Sequence, residues 1–374
     1  MNIITYTQTM LDTFDVTPFS HVDSLVLSQL AYINYNDITQ PLGSWRKHIA
    51  VKDLLKIELF DKLLIDVRDP QRNKELILAV GMSPRFKDVQ ICHFIDIIDT
   101  TLQKQFSAVT FIINKKLAYI AYRGTDSTFV GWKEDFNMTY MSPVPAQADG
   151  ATYLNKVAKS IRHELIVGGH SKGGNIAVYA SMEASPKIQN RIKVVYTHDG
   201  PGFRNEIFNS HKYHSIKDKI HKTIPQSAVV GTLLQHQEDY YTVKSNQFWI
   251  MQHDPFSWVV QDNDFIYEEE VTSGAKYLNT TIKQWLETLD DEKRELFIST
   301  LYEVLLATKT ERIEDLTTDW FKKLQSVIEA ANNVDKETQS FLMDTIKSLI
   351  SLSFRNIPSP LKNFSFPMMK SKAD

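Results

Sequence analysis

Five residues, Gly169-His170-Ser171-Lys172-Gly173, stand between the apolar run Glu164–Gly168 and the helix-like stretch Asn175–Ala180. A G-x-S-x-G turn set between strand and helix leaves a chain few choices. The serine must stand out from the end of a sheet, and small residues on both sides must let strand and helix crowd together without a Cβ clash. Gly169 and Gly173 fill those places, and Gly174 adds a second small residue at the helix start. Ser171 is therefore the candidate nucleophile, since a hydroxyl attacks only when held near a base and near backbone donors.

The surrounding pattern predicts an α/β fold. Phe106–Ile113 and Leu117–Tyr122, joined by Asn114-Lys115-Lys116, predict an antiparallel hairpin. Ala151–His163 reads as a helix leading into the serine strand, and Ile192–His198 as the strand after the elbow helix. Ile220–Ile224 and Tyr240–Lys244 read as further strands. Strands alternating with helices predict a mostly parallel sheet flanked by helices, with an antiparallel hairpin at its start. Upstream, apolar spacing over Asp23–Tyr35 predicts a helix capped by Asp23 or Ser24, and residues 36–88 read as loops and short helices.

From about Gly274 apolar residues recur at helical intervals, through Trp285, Leu289, Leu296 and Leu305, then Trp320–Ile328, then Phe341–Ile350. We divide the chain into a helical and loop covering segment (1–100), an α/β core (101–272), a C-terminal helical region (273–357) and a loosely ordered tail (358–374). The apolar faces of the C-terminal helices could pack on the core or on a second copy of the chain, a homo-oligomer.

Bulk properties narrow the class. A formal charge of −3 over 374 residues gives no reason to expect nucleic acid or an anionic membrane as a partner. The single cysteine, Cys92, excludes an internal disulfide, fits a reducing compartment, and sits in an apolar run where burial outweighs reactivity. The start Met1-Asn2-Ile3-Ile4 does not read as a signal peptide, and no apolar run approaches the roughly 18 residues needed to span a bilayer. The expectation is a cytoplasmic protein without an integral membrane segment.

An activated serine needs a base, and the base needs an orienting acid. In α/β-hydrolases they follow in the chain order Ser, acid, His. Asp199 comes just after the strand that follows the elbow helix, at the sheet edge that presents Ser171. Of eleven histidines, His253 lies latest in the core, where a loop could carry it over the serine. His170 faces into the elbow and His198 points away from Asp199, while His211, His214 and His221 read with Lys212, Lys217, Lys219 and Lys222 as a solvated face. Oxyanion donors must be aimed in advance. Lys172 can donate its backbone N–H, and Thr125, after the strand ending at Tyr122, can supply its N–H and its hydroxyl. Gly124 would let that loop approach closely, and Arg123 reads as an ion pair that fixes it.

With these residues in place, the chain resembles the class 3 lipases, which pair a Ser-Asp-His triad with an Arg-Gly-Ser/Thr oxyanion loop and a Trp-x-x-Asp lid segment. Arg123-Gly124-Thr125 matches the loop, and Trp132 and Asp135 match the possible lid. Gln105–Val109, Tyr122–Asp126, Gly131–Phe136, Val144–Gln147, Gly169–Asn175, Asp199–Phe203 and Gln252–Trp258 together resemble the bacterial lipase-like family catalogued as domain of unknown function 2974, over about residues 20–350. Two departures stand out. Lys172 replaces the apolar residue usual in class 3 lipases, and Ser227 stands where their acid usually comes. The acid is then Asp199, one strand earlier, with Asp239 as the alternative; Asp254 is a further candidate, but as the sequence neighbour of His253 it is expected to point in a different direction.

The sequence thus predicts a serine hydrolase of lipase or esterase type that cleaves an acyl ester, lipid or small, through an acyl-Ser171 intermediate. It calls for no metal and no cofactor. The rival expectation is an inactive hydrolase-fold binding or regulatory protein; every catalytic role having a competent residue favours the enzyme.

Overall fold

In the computed structural model the serine strand lies at the centre of a nine-stranded sheet. The structure describes residues 1–36, 38, 48–126 and 128–307, with positions 336, 340, 341, 344, 345, 347 and 348. The predicted helices over 320–328 and 341–350 and the tail 358–374 lie wholly or largely outside the described residues. The strands are β1 (Ile49–Ala50), β2 (Gln90–Asp99), β3 (Lys104–Ile112), β4 (Leu117–Tyr122), β5 (Glu164–His170), β6 (Ile192–His198), β7 (Ile220–Pro225) and β8 (Tyr240–Val243). A two-stranded ribbon, β9 (Val260–Gln261) and β10 (Asp264–Phe265), precedes the short edge strand β11 (Tyr267–Glu268), which pairs with β8.

β4 to β8 run parallel, while β1 to β4 and the β8–β11 pair are antiparallel. The sheet is therefore mixed, more antiparallel than the sequence suggests. The reason sits in β2, which the apolar pattern does not expose as a strand. His93 takes φ 55°, and the β2–β3 register shifts between Cys92 and Ile95, so a bulge breaks the two-residue alternation there. β2 also carries the sheet into the segment 1–100. Cys92 is buried at its start, and burial pushes its thiol up to about 12, as an inert apolar-site cysteine requires.

Two helical layers cover the sheet, and strand alternation sorts side chains between them. Along β4, Tyr119 and Ala121 face one core and Ala118, Ile120 and Tyr122 the other; along β5, Ile166 opposes Leu165 and Val167. The first layer holds α1 (Ile3–Thr9), α2 (His21–Leu30), α3 (Ile57–Leu63) and α4 (Pro70–Met82). α2 starts two residues before the predicted span Asp23–Tyr35 and ends short of it, at Leu30. Ser20 is the N-cap, and Asp23 is the N3 partner of a capping box. After α5 (Phe129–Asn137), the second layer is built by α6 (Pro145–Ser160) and α7 (Lys172–Glu183). α8 (Pro186–Gln189), α9 (Asn205–Phe208) and α10 (His211–His214) are single turns on the surface.

α11 (Ser273–Glu287) and α12 (Asp291–Ala307) begin the C-terminal region. They lie against the core: Arg294 donates to the Thr139 carbonyl at 2.9 Å, and the Lys133 ammonium sits 4.4 Å from the Tyr302 ring centre. Among the described residues no helix is long and apolar enough to cross a membrane.

Candidate active site

The turn between β5 and α7 is as tight as its glycines imply. A Cβ on Gly173 would sit 2.1 Å from the Tyr122 carbonyl oxygen, and one on Gly169 would sit 2.4 Å from the Gly173 carbonyl carbon. No side chain fits either place. Ser171 itself is held at φ 57°, ψ −134°, a left-handed conformation that a non-glycine residue keeps only when its surroundings enforce it. Two hydrogen bonds do so. The Ser171 N–H donates to the His198 carbonyl and the Gly174 N–H to the Ser171 carbonyl, both at 2.9 Å. Against this elbow lies Gly124, whose added Cβ would stand 3.0 Å from the Ser171 Cβ and 2.7 Å from the His170 carbonyl oxygen.

The structure brings Asp199 and His253 together. Asp199 directly follows β6, fully buried and left-handed at φ 50°. Its Oδ1 accepts the Gly231 N–H at 2.9 Å, and its Oδ2 lies 2.5 Å from His253 Nδ1. A Cβ on Gly231 would collide with that Oδ1 at 2.3 Å, so the glycine is what lets the loop after β7 seat the acid. His253 closes a 3-10 turn, Trp249–His253, with its ring still one-fifth exposed. Its backbone oxygen contacts His170 Nε2 at 2.8 Å, and the two rings lie 4.5 Å apart. His170 is thus a strut, gripped at its other nitrogen by the Tyr32 hydroxyl at 3.1 Å. Burial, and then the neighbouring His253, drive His170 well below the ordinary histidine range.

The other sequence candidates lie elsewhere. Asp239 is exposed, whereas its neighbour Glu238 is buried and takes the Tyr213 hydroxyl and the Lys222 ammonium. Asp254 accepts from Arg72 at 2.6 Å. Ser227 is within 3.2 Å of the Thr272 hydroxyl. His198 is buried between Ser24 and Thr223. The stretch read as a solvated face holds for His211 and His214 but not throughout. Lys222 is buried against Glu238, and His221 stacks between His21 and Tyr241. β7 is an inner strand between β6 and β8, and its successive side chains point to opposite faces that are both covered, so neither residue is left in open solvent.

On the opposite side of Ser171, Arg123 grips Asp96 with two bonds of 2.9 and 2.8 Å and anchors the loop that carries Thr125. The Thr125 hydroxyl donates to Asp135 Oδ2 at 2.5 Å, so it is engaged with α5 while the backbone N–H remains the loop's other donor. The lid-like segment that holds Trp132 and Asp135 is the helix α5, capped by Thr128. It carries Trp132, half-buried beside Phe136, and Asp135, whose Oδ1 is buried without a hydrogen-bond partner. Burial raises the Asp135 carboxyl to about 6, against the opposing pull of Lys172 and the Thr125 hydroxyl.

The Lys172 side chain turns inward, fully buried, onto Glu134 at 2.9 Å. A lysine placed behind a buried elbow calls for a buried acid, and Glu134 of Gly131-Trp132-Lys133-Glu134-Asp135 is that acid. Sequence reasoning assigns Trp132 and Asp135 in this stretch and passes over Glu134. Tyr32 and Gly231 are likewise missed, being joined to the site only by folding.

The chain belongs to the Mbeg1-like family, whose model matches residues 80–303. No curated protein sequence matches it. Among solved structures it is similar to the Rhizomucor miehei lipase–propeptide complex, at 17% identity over 42% of this chain and 57% of that chain, with a TM-score of 0.32. It is also similar to M37 lipase (14% identity, 56% and 68% covered, TM-score 0.34) and to the lipase of Rhizopus microsporus var. chinensis (20%, 54% and 72%, TM-score 0.31). The match to the Rhizomucor enzyme thus spans a little over half of that protein's length.

Proposed function

We propose that this protein is a serine hydrolase of the α/β-hydrolase, lipase-like kind, cleaving an acyl ester through an acyl-Ser171 intermediate. The observation that carries the reading is the His253–Asp199 contact of 2.5 Å, made by a late loop and the residue after β6, whose neighbour His198 holds the Ser171 N–H through its carbonyl. His253 takes the Ser171 proton as the alcohol attacks the ester carbonyl, then returns it to the leaving alkoxide. Buried Asp199 holds the His253 ring through Nδ1 and stabilises the imidazolium that forms. The N–H of Lys172, the first residue of α7, and that of Thr125 receive the developing oxyanion. Donors fixed in advance supply much of the acceleration. Water then enters by the same route in reverse and releases the acid.

α5, with Trp132 and Asp135, is the element that would cover the ester, and its Asp135 fixes the Thr125 side chain. The reading needs no metal or organic cofactor. A fluorophosphonate probe tests it directly. Wild type and Ser227→Ala are expected to be labelled and Ser171→Ala not; labelling retained in Ser171→Ala would dispose of the assignment.

A further inference from the structure

An acyl transfer gives a lysine side chain behind its nucleophile nothing to do, yet Lys172 is buried completely. Its ammonium donates to Glu134 Oε2 at 2.9 Å and to the Gln105 carbonyl at 3.0 Å. Glu134, equally buried, also accepts the backbone N–H groups of Gln105 at 3.0 Å and Ala146 at 2.8 Å. One ion pair thus joins the elbow helix, α5, the start of β3 and the start of α6. The same ammonium stands 3.9 Å from Asp135 Oδ1, and Asp135 Oδ2 accepts the Thr125 hydroxyl. A continuous chain of polar contacts therefore runs from the residue after Ser171 to the loop on the far side of the reacting carbonyl. Stability alone would not select it, because a buried ion pair returns little more than its desolvation costs and an apolar pair often serves as well.

We propose that Lys172 is, through its side chain, a positioning residue: it ties the elbow to α5 through Glu134 and keeps Asp135 anionic as the acceptor of the Thr125 hydroxyl. Both oxyanion N–H groups are then aimed before the ester arrives. The inference rests on the serine-hydrolase reading. Asp135 is faced by Lys172 and Glu134, by Thr125 from the oxyanion loop, by His253 from the late loop, and by Tyr32. Of these, Lys172 is the strongest influence opposing the burial that raises Asp135 to about 6, so removing the ammonium moves that carboxyl further up.

Two variants test the proposal: Lys172→Met, and Lys172→Met/Glu134→Gln, which removes both charges of the buried pair together. Turnover of p-nitrophenyl butyrate is measured on both. In a Ser171→Ala background the Asp135 carboxyl carbon is titrated by 13C NMR, assigned by its loss in Asp135→Asn. The expected result is a fall in kcat of about 10–100-fold with KM within about twofold, as for misaimed donors, together with an upward shift of the Asp135 midpoint. Wild-type kcat in the folded double variant overturns the proposal, and so does a fall in kcat with the midpoint unmoved. Should wild type prove inactive on esters, the hydrolase reading falls by itself. The Asp135 midpoint, read in an inactive background, still decides whether Lys172 sets that carboxylate.

Discussion

Asp199 shows how much one residue must satisfy for a site like this to exist. Its carboxylate has no exposure to water, its backbone is left-handed, and its two oxygens are divided between the Gly231 N–H and the His253 ring. Asparagine tolerates that backbone conformation better than most residues and can keep the oxygen that accepts from Gly231. Its amide would instead present N–H groups to His253 Nδ1, and the ring would have to turn its acceptor nitrogen toward Asp199's place and its N–H toward the serine. An imidazole in that tautomer cannot take a proton from Ser171. Asp199→Asn is therefore expected to keep the wild-type fold while kcat on p-nitrophenyl esters falls by about 10³–10⁴. Loss smaller than tenfold in a variant with wild-type circular dichroism would mean that Asp199 does not orient the base. Gly231→Ala should show the same loss by a different route, since its Cβ and the Asp199 carboxylate cannot share their space.

The elements that carry this site differ in how far their residues announce them. The strand–turn–helix around Ser171, the β3–β4 hairpin and the placement of β6, β7 and β8 are readable because local pattern decides them. The antiparallel half of the sheet is not, because the bulge at His93 hides the alternation of β2. The N-terminal layer hides for another reason: its decisive contacts join residues far apart in sequence. Arg85, just past α4, is the clearest case. Its guanidinium makes bonds of 2.8 and 2.6 Å to Asp23 on α2, which also accepts the Tyr6 hydroxyl of α1. Further bonds reach the carbonyls of Asp12, Thr17 and Pro18, and the Phe14 ring lies 4.1 Å away. Asp23 looks like a helix cap from sequence alone, and nothing local shows that a buried arginine waits for it. Arg85→Met leaves that carboxylate buried and unpaired, which typically costs about 3–5 kcal/mol. Urea denaturation should show that loss, with esterase activity per folded molecule unchanged because the cluster touches none of the reacting groups. A loss below roughly 1 kcal/mol would show that the layer does not depend on this pair.

At the scale of the whole molecule, the buried histidines set how the fold responds to acid. His170 and His198 lie well below the ordinary histidine range because they are buried. His221, stacked between His21 and Tyr241, is pulled down to about 4 for the same reason, and His93, His163 and His236 shift the same way. In the unfolded chain these rings take up protons near pH 6.5. Between that value and their lower folded values the unfolded state binds more protons, so stability falls as the pH falls. Asp135 acts with the opposite sign: raised to about 6, it holds its proton more tightly when folded and favours the fold as pH drops from there toward 4. Asp96, raised by its burial, acts the same way, and two such carboxyls cannot offset six histidines. Lowering the pH from 7 to 4.5 should therefore reduce the unfolding free energy by at least roughly 3 kcal/mol, read from urea midpoints at each pH. His221→Phe keeps the stack and removes one of these protons, so the loss over that window should shrink by about 1–2 kcal/mol, with the partial exposure of the ring discounting the full shift. Part of the loss comes through His170, whose ring braces the backbone of His253. Because that ring takes up its proton only as the fold opens, His253 loses its brace at the same step, so activity should be lost no later than the folded signal. Activity that outlasts the folded signal on acidification would contradict that order.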